Sequence, residues 1–243
     1  MVRVLAVGAI VLVLVGTAGL QRSDERTVDI DPGGPIRIRS TAGPVEVLDE
    51  PGPAVSYRAS WLIRGPTEVT DAGGLDLRCD TRWPCRALST VRVPSARSAT
   101  DRGSAVDLDV HTVDEDVVVT GFVGRLLVTT EGVGAVVLGP VRGEIRAVTA
   151  AGTVVGHGVR AEVVEVVTDG GAVELHFAEP PRSAVIEAGT EPVTISLPPG
   201  SYAVTVSGTP VDIATDVDVV QAADAEHRLS VRARGPVRIQ SST

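Results

Sequence analysis

The second half of the sequence repeats with a period of about 19 residues, and this repeat limits the possible folds more than any other feature. Five valines are each followed by a glycine four positions later, at successive spacings of 20, 18, 19 and 19 residues. Turn signals such as Gly139-Pro140 follow each unit. The five pairs are Val128/Gly132, Val148/Gly152, Val166/Gly170, Val185/Gly189 and Val204/Gly208.

A second column of branched residues completes each unit, so that a unit reads as strand, turn, strand, turn. One such unit cannot bury its own apolar face, whereas units stacked at about 4.8 Å place like residues over like and share one core. The second column contains Val117/Val119, Val136/Leu138, Val154, Val173/Leu175, Val193/Ile195 and Val211/Ile213. The repeat therefore predicts an all-β fold, a short right-handed single-chain β-solenoid with an N-terminal β-strand cap. A β-sandwich is the alternative, because regular strands produce a similar alternation.

Composition and local pattern agree with many short strands. The chain has 26 glycines, 16 prolines and only 2% aromatic residues, and valine dominates its apolar content. Branched side chains suit a pleated surface. The stretch Pro35 to Arg39 alternates apolar and polar residues, as a strand with one buried face does. We expect one domain over residues 26–241, made of a strand-rich cap over 26–104, repeats over 105–215 and C-terminal strands over 216–241.

The N-terminus carries an apolar segment. Val4 to Leu20 has no charged residue, and Arg3 precedes it. This pattern predicts that residues 1–22 are a membrane anchor or a signal peptide. Arg3 would leave the N-terminus in the cytoplasm, which gives a single-pass protein of the cell membrane with an extracytoplasmic C-terminal domain. Secretion after cleavage of the signal is the alternative.

Charge and cysteine content exclude several classes of protein. The formal net charge is −9, and nucleic acids select clustered positive charge, so we expect no nucleic-acid partner. The only cysteines are Cys79 and Cys85. In an exported chain such a close pair predicts a disulfide that closes a small loop, whereas a metal site needs more ligands nearby.

The remaining candidate residues give no catalytic pattern. His157 and His176 could approach each other across adjacent units, and we interpret both as satisfied or solvent-facing histidines. The chain lacks a Gly-x-Ser-x-Gly motif, a phosphate loop and His-Glu-x-x-His. We therefore predict no enzyme, and no catalytic, cofactor-binding or metal residues. An acidic run offers oxygen ligands to calcium but has no known calcium-loop spacing, which favours a solvated strand face; it comprises Asp107, Asp109, Asp114, Glu115 and Asp116.

Three motifs together resemble the putative-adhesin, or Toastrack, family of bacterial β-solenoid domains. They are the opening Gly34-Pro35-Ile36-Arg37-Ile38, the two repeat columns, and the closing Arg234-Gly235-Pro236-Val237-Arg238-Ile239. The family has no settled biochemical activity. The resemblance implies an envelope-exposed module behind a single N-terminal membrane segment, sometimes associated with the sensing of envelope stress.

These observations lead to one functional hypothesis and two alternatives. We expect a non-enzymatic, adhesin-like interaction or scaffold module exposed in the cell envelope, with an envelope protein or a cell-surface polymer as its partner. A glycan-active β-helix enzyme is the first alternative, and it would show a groove lined by several carboxylates from successive units. A purely structural spacer is the second, and it would have no distinctive surface patch.

Overall fold

The computed structural model describes residues 22–28, 35–49, 55–61, 67–71, 74–78, 87–93, 106–208, 213–215 and 219–242. Apart from Arg22, the predicted anchor or signal segment 1–22 lies outside these residues. No helix within the described ranges has the length and apolar character needed to cross a membrane. All the described secondary structure is β, so the predicted all-β class is confirmed.

The described residues form 21 strands. The first seven are β1 (Arg22–Val28), β2 (Ile36–Ser40), β3 (Val45–Asp49), β4 (Val55–Trp61), β5 (Thr67–Asp71), β6 (Gly74–Arg78) and β7 (Ala87–Val93). The next seven are β8 (Val106–Thr112), β9 (Val117–Thr120), β10 (Val123–Thr130), β11 (Val136–Leu138), β12 (Arg142–Thr149), β13 (Val154–Thr168) and β14 (Val173–Phe177). The last seven are β15 (Ser183–Ala188), β16 (Val193–Leu197), β17 (Gly200–Gly208), β18 (Ile213–Thr215), β19 (Val219–Gln221), β20 (His227–Ala233) and β21 (Val237–Ser241).

The strands belong to one sheet that has two halves. One half, here called the β8 half, contains the parallel series β8, β10, β12, β13 and β15; the other, the β9 half, contains β9, β11, β13, β14 and β16. The 15-residue strand β13 joins the halves. It bends near Gly158, whose φ of 64° suits glycine. A repeat unit is therefore one strand in each half, and each strand pairs in parallel with its counterpart in the next unit.

The core lies between the two halves and is built from columns of registered residues. In the β8 half one buried column crosses five successive strands and contains Val110, Val128, Ala147, Val166 and Ile186. The predicted valine column is wrong in three of its members. Val148 and Val185 lie one residue away from this column and face outward, and Val185 is 37% exposed. Val204 is in register with Leu229, in the neighbouring column.

The slip in the predicted column follows from unequal steps between the units. The registered column advances by 19 residues from Val128 to Ala147, by 19 to Val166 and by 20 to Ile186, whereas the predicted valines advance by 20, 18 and 19. Because side chains alternate between the two faces of a strand, a shift of one residue moves a side chain from the core to the surface.

Buried hydroxyl groups and glycines form the corner where the β8 half turns toward the β9 half. Ser40, Thr112, Thr130, Thr149 and Thr168 are at most 2% exposed and end successive strands. The Thr149 hydroxyl accepts a hydrogen bond from the Gly152 N–H (2.9 Å), and the Thr168 hydroxyl accepts one from the Gly171 N–H (2.9 Å). An added Cβ at Gly134, Gly152 or Gly171 would overlap a carbonyl oxygen of the preceding corner. These three glycines, rather than Gly132 and Gly170, form the stacked column.

At both ends of the sheet the order of strands in space differs from their order in the chain. Strand β20 lies between β15 and β17, and β21 lies between β16 and β18. In the same way β2 lies between β8 and β6, and β3 lies between β9 and β7. Strands β1, β4 and β5 make antiparallel pairs beyond them. The two end segments with repeat-like sequence therefore each have a neighbour on both sides.

Candidate functional site

An open cleft of about 250 Å³ lies on the β8 half, at the junction of β6, β2 and β8. We call it the arginine cleft, and the polar side chains that line it are Arg37, Arg39, Asp76, Asp109 and His111. Strand β2 alternates buried and exposed residues, which directs Ile36 and Ile38 into the core and both arginines outward. The register of β2 with β6 and β8 determines the other lining residues of the cleft. Arg37 lies opposite Asp109, and Arg39 lies between Asp76 and His111.

The carboxylates and the imidazole of the cleft have unequal sets of partners. Asp76 accepts a hydrogen bond from Nε of Arg78 (2.8 Å), and this bond raises the pKa of the Arg78 guanidinium. Its other oxygen, Oδ1, is buried and accepts no hydrogen bond from the residues that the structure describes. His111 Nε2 lies 3.1 Å from Oε1 of Glu131. The cleft thus presents guanidinium donors beside carboxylate acceptors, and it can bind a ligand that carries both an acidic group and hydrogen-bond donors.

The sequence carries a signal for this cleft in the segment that becomes β2. Both polar positions of Pro35-Ile36-Arg37-Ile38-Arg39 are arginines in a chain of net charge −9. Two like charges two residues apart face the same side of a strand, about 7 Å from each other. Alternation therefore places both guanidinium groups on one outer face, but only the pairing of β2 with β6 and β8 reveals the acidic residues beside them.

The two histidines singled out from the sequence do come together. The rings of His157 and His176 stack with their centroids 5.5 Å apart. His176 Nε2 also lies 2.9 Å from Oε1 of Glu174, on the same strand. Within the described residues no group of three or more His, Cys, Asp or Glu side chains is placed to hold a metal ion.

Two residues of the acidic run bond to the backbone of a neighbouring turn. Asp114, with a φ of 58°, accepts a hydrogen bond at Oδ1 from the Val133 N–H (3.2 Å). Asp116 accepts one from the Ala135 N–H (2.8 Å) in the same way. Both carboxylates therefore satisfy backbone donors of the next unit, 19 residues along the chain.

Several charged residues of the repeats form ion pairs on the surface. Arg125 lies between two carboxylates of neighbouring strands, 3.7 Å from Asp107 and 3.3 Å from Glu144. Arg142 and Arg160 both contact Glu179, at 3.2 and 3.6 Å. Register pairs Arg125 with both of its carboxylates and Arg142 with Arg160, and Glu179 lies in the connection between β14 and β15. Such exposed pairs contribute little stability, at most about 1 kcal/mol each.

The predicted disulfide falls on residues that the structure does not describe. Cys79 and Cys85 both lie in the connection between the end of β6 at Arg78 and the start of β7 at Ala87. Their pairing stays a prediction.

Comparison with known proteins identifies a fold. No protein-family model and no curated protein matches the chain. A solved putative lipid-binding protein from Parabacteroides distasonis is 12% identical, with a TM-score of 0.51 over 89% of this chain and 96% of its own. A solved putative adhesin from Parabacteroides merdae is 10% identical, with a TM-score of 0.50 over 91% of this chain and 96% of its own. The expected resemblance to putative adhesins is thus confirmed as a resemblance of fold.

Proposed function

We propose that this chain is a non-enzymatic, adhesin-like binding module exposed at the cell envelope, whose partner is a cell-surface polymer or an envelope protein. The observation that carries the proposal is the arginine cleft, an open surface site whose charged groups suit ligand binding. The adhesin name of the Parabacteroides merdae neighbour supports the same role. The predicted apolar segment at the N-terminus would place the module outside the cytoplasm.

Binding by the full chain tests this function. The purified chain is reconstituted into liposomes and mixed with polymer and protein fractions released from the envelope of the source cells. We expect one fraction to be retained by these liposomes and not by empty ones, and to be lost with Arg37→Ala/Arg39→Ala. Turnover of a glycan fraction, or retention of none, would contradict the proposal and favour the enzyme or the spacer.

The topology proposed for the membrane is a single pass with the C-terminal domain outside. Residues 1–22 would form the anchor, and the alternative is a secreted chain from which they have been removed. Protease added to intact cells should digest the domain while a cytoplasmic marker survives. A full-length chain that resists the protease in intact cells would overturn this topology.

We also propose that the repeat units wind as a right-handed β-solenoid. Successive strands of each half pair in parallel, and connections between parallel strands of one sheet are right-handed in almost all proteins. Leu127 and Arg146 are registered neighbours on the outer face of β10 and β12. Cysteines at these two positions should therefore cross-link, whereas a sandwich with antiparallel neighbours would separate them.

The connection between β6 and β7 carries the last of these proposals, a disulfide between Cys79 and Cys85. A loop this short gives about 2–3 kcal/mol in the chain-entropy model. Mass spectrometry of exported protein without reductant should find both thiols joined. Two alkylated, free cysteines would contradict the proposal.

A further inference from the structure

The two arginines of the cleft differ from most arginines on the described surface. Among the described residues, neither Arg37 nor Arg39 makes an ion pair. Eight other arginines do, namely Arg58, Arg78, Arg92, Arg125, Arg142, Arg146, Arg160 and Arg232. In a chain with 22 basic and 31 acidic residues, two adjacent unpaired guanidinium groups are not explained by an excess of positive charge.

One unused acceptor lines the same space. Asp109, which lies opposite Arg37, has no ion pair within the described part of the chain, whereas Asp76 is already paired with Arg78. A hydrogen-bond donor of a ligand can therefore bind the Asp109 carboxylate without displacing a partner from the protein. The cleft thus has two guanidinium forks and one carboxylate acceptor that its own side chains leave available.

This arrangement selects among anions. A guanidinium fork binds a carboxylate through two parallel hydrogen bonds. A bare anion is repelled by Asp109, whereas a hydroxyl group next to the acidic group donates a hydrogen bond to this carboxylate. Sugar acids carry a carboxylate and hydroxyl groups on one ring. A cleft of about 250 Å³ lies just below the range of roughly 300 to 1,000 Å³ typical of small-molecule pockets, which suits one ring of a longer polymer.

We propose that the arginine cleft binds a uronic-acid unit of an acidic polysaccharide, with its carboxylate on Arg37 and Arg39 and a hydroxyl group on Asp109. This inference rests on the proposed binding function and names the ligand class of the same site. The bidentate contact predicts that Arg37→Lys, which keeps the charge but loses the fork, weakens binding.

The experiment uses the full chain in lipid nanodiscs and calorimetric titration with three probes. Trigalacturonic acid is the test ligand, its methyl ester lacks the negative charges, and sodium acetate lacks the hydroxyl groups. We expect binding of the acid only. Arg37→Ala/Arg39→Ala should weaken it at least tenfold, and Arg37→Lys by a smaller factor. Arg228→Ala, an exposed arginine on β20 of the same half, is the matched control and should leave it unchanged.

Asp109→Ala separates the sugar from a simple anion. Loss of this carboxylate should weaken the binding of trigalacturonic acid and strengthen the binding of acetate, because the repulsion of the bare anion is removed. The inference is overturned if acetate binds the unaltered chain as well as the acid does, if the methyl ester binds equally, or if the double arginine variant keeps its affinity. An envelope fraction that is still retained by liposomes while trigalacturonic acid fails to bind would overturn the ligand class and leave the proposed function standing. If neither an envelope fraction nor trigalacturonic acid binds, both the ligand class and the proposed function are overturned.

Discussion

The middle of the molecule and its two ends use the same repeat unit in different ways. From β8 to β16 each unit follows the previous one in the chain and lies next to it in space. At the ends, the strands in residues 36–49 and 227–241 lie directly against the middle units. A further strand, from a different part of the chain, pairs with the outer side of each. Order in the chain is therefore a reliable guide to order in space only in the middle.

The difference has a physical consequence for the edges of the sheet. An edge strand presents unpaired backbone donors and acceptors, which invite pairing with other chains. At the N-terminal end the outer strands β1, β4 and β5 make antiparallel pairs, so the parallel series stops there. The arginine cleft lies at this end, where β2 enters between β6 and β8. Inward placement thus gives the end segments the pairing of an interior unit and brings Arg39 next to Asp76.

The largest effect is expected from a charge in the middle of the core. Val166 is fully buried, with Ala147 and Ile186 as its registered neighbours. Val166→Asp places a carboxylate in an apolar interior, at a cost of at least several kcal/mol, which rivals the stability of a typical domain. Glu165→Asp, one residue away and facing outward, should change little. Thermal unfolding of both variants tests this, and equal small shifts would show that the column does not face a core.

A smaller loss should follow from crowding a corner in the same region. At Gly171 an added Cβ would overlap the carbonyl oxygen of Gly152, and backbone cannot move aside easily. Gly171→Ala should therefore cost about 3 kcal/mol, the upper end of the usual range for overpacking. At Gly170 the new methyl group would lie 3.5 Å from the Ala151 Cβ, an ordinary contact, so Gly170→Ala should be nearly neutral. Chemical denaturation measures the free energy of unfolding of both variants. A larger loss for Gly170→Ala than for Gly171→Ala would show that the corner is not stacked in this way.

The inward placement of the C-terminal end is tested by two valines. Val231 lies on β20 between Ile186 and Val206 and is fully buried, whereas Val206 on β17 is only partly buried. Val231→Ala should cost about 2 kcal/mol, like a substitution in the middle, although it lies near the end of the chain. Val206→Ala should cost less than about 1 kcal/mol. A larger loss at Val206, measured by urea unfolding, would place β17 rather than β20 inside.

The repeat in the sequence was sufficient to predict the β class and the parallel stacking of like units, because period and turn residues are local properties of the chain. It was not sufficient to predict which valines face the core. That choice depends on single-residue differences in the step from one unit to the next, and on positions where Ala147 or Ile186 takes the place of valine. Because the residue type changes along the registered column, no single repeated residue type marks that column in the sequence.

The candidate site was harder to predict for a different reason. The alternation around Arg37 and Arg39 does place both side chains on one face. Their neighbours Asp76 and Asp109 are distant in sequence, and they meet only because β2 inserts between β6 and β8. Long-range pairing of this kind leaves no periodic signal in the chain.

The smallest effect concerns Tyr202, at the C-terminal end, and depends on pH. Its side chain is fully buried, its hydroxyl donates a hydrogen bond to the carbonyl oxygen of Pro198 (2.8 Å), and burial raises its pKa above the ordinary value. Tyr202→Phe should therefore cost about 1 kcal/mol near neutral pH through loss of that bond. As pH rises above about 10, the unfolded chain releases the phenolic proton before the folded chain does, so the native protein loses stability that the variant keeps. The free-energy difference between the two should shrink with rising pH.

This comparison is clean because the chain has no lysine and only two tyrosines, so few groups titrate in that range. Urea unfolding at pH 8 and at about pH 10.5 measures the difference for native protein and Tyr202→Phe. Tyr57→Phe is the matched control at the opposite end of the molecule. It keeps Tyr202, so it should retain the alkaline loss that Tyr202→Phe removes. Parallel changes of all three proteins with pH would show that Tyr202 is not the group responsible. They would also show that its side chain is not buried in the folded chain.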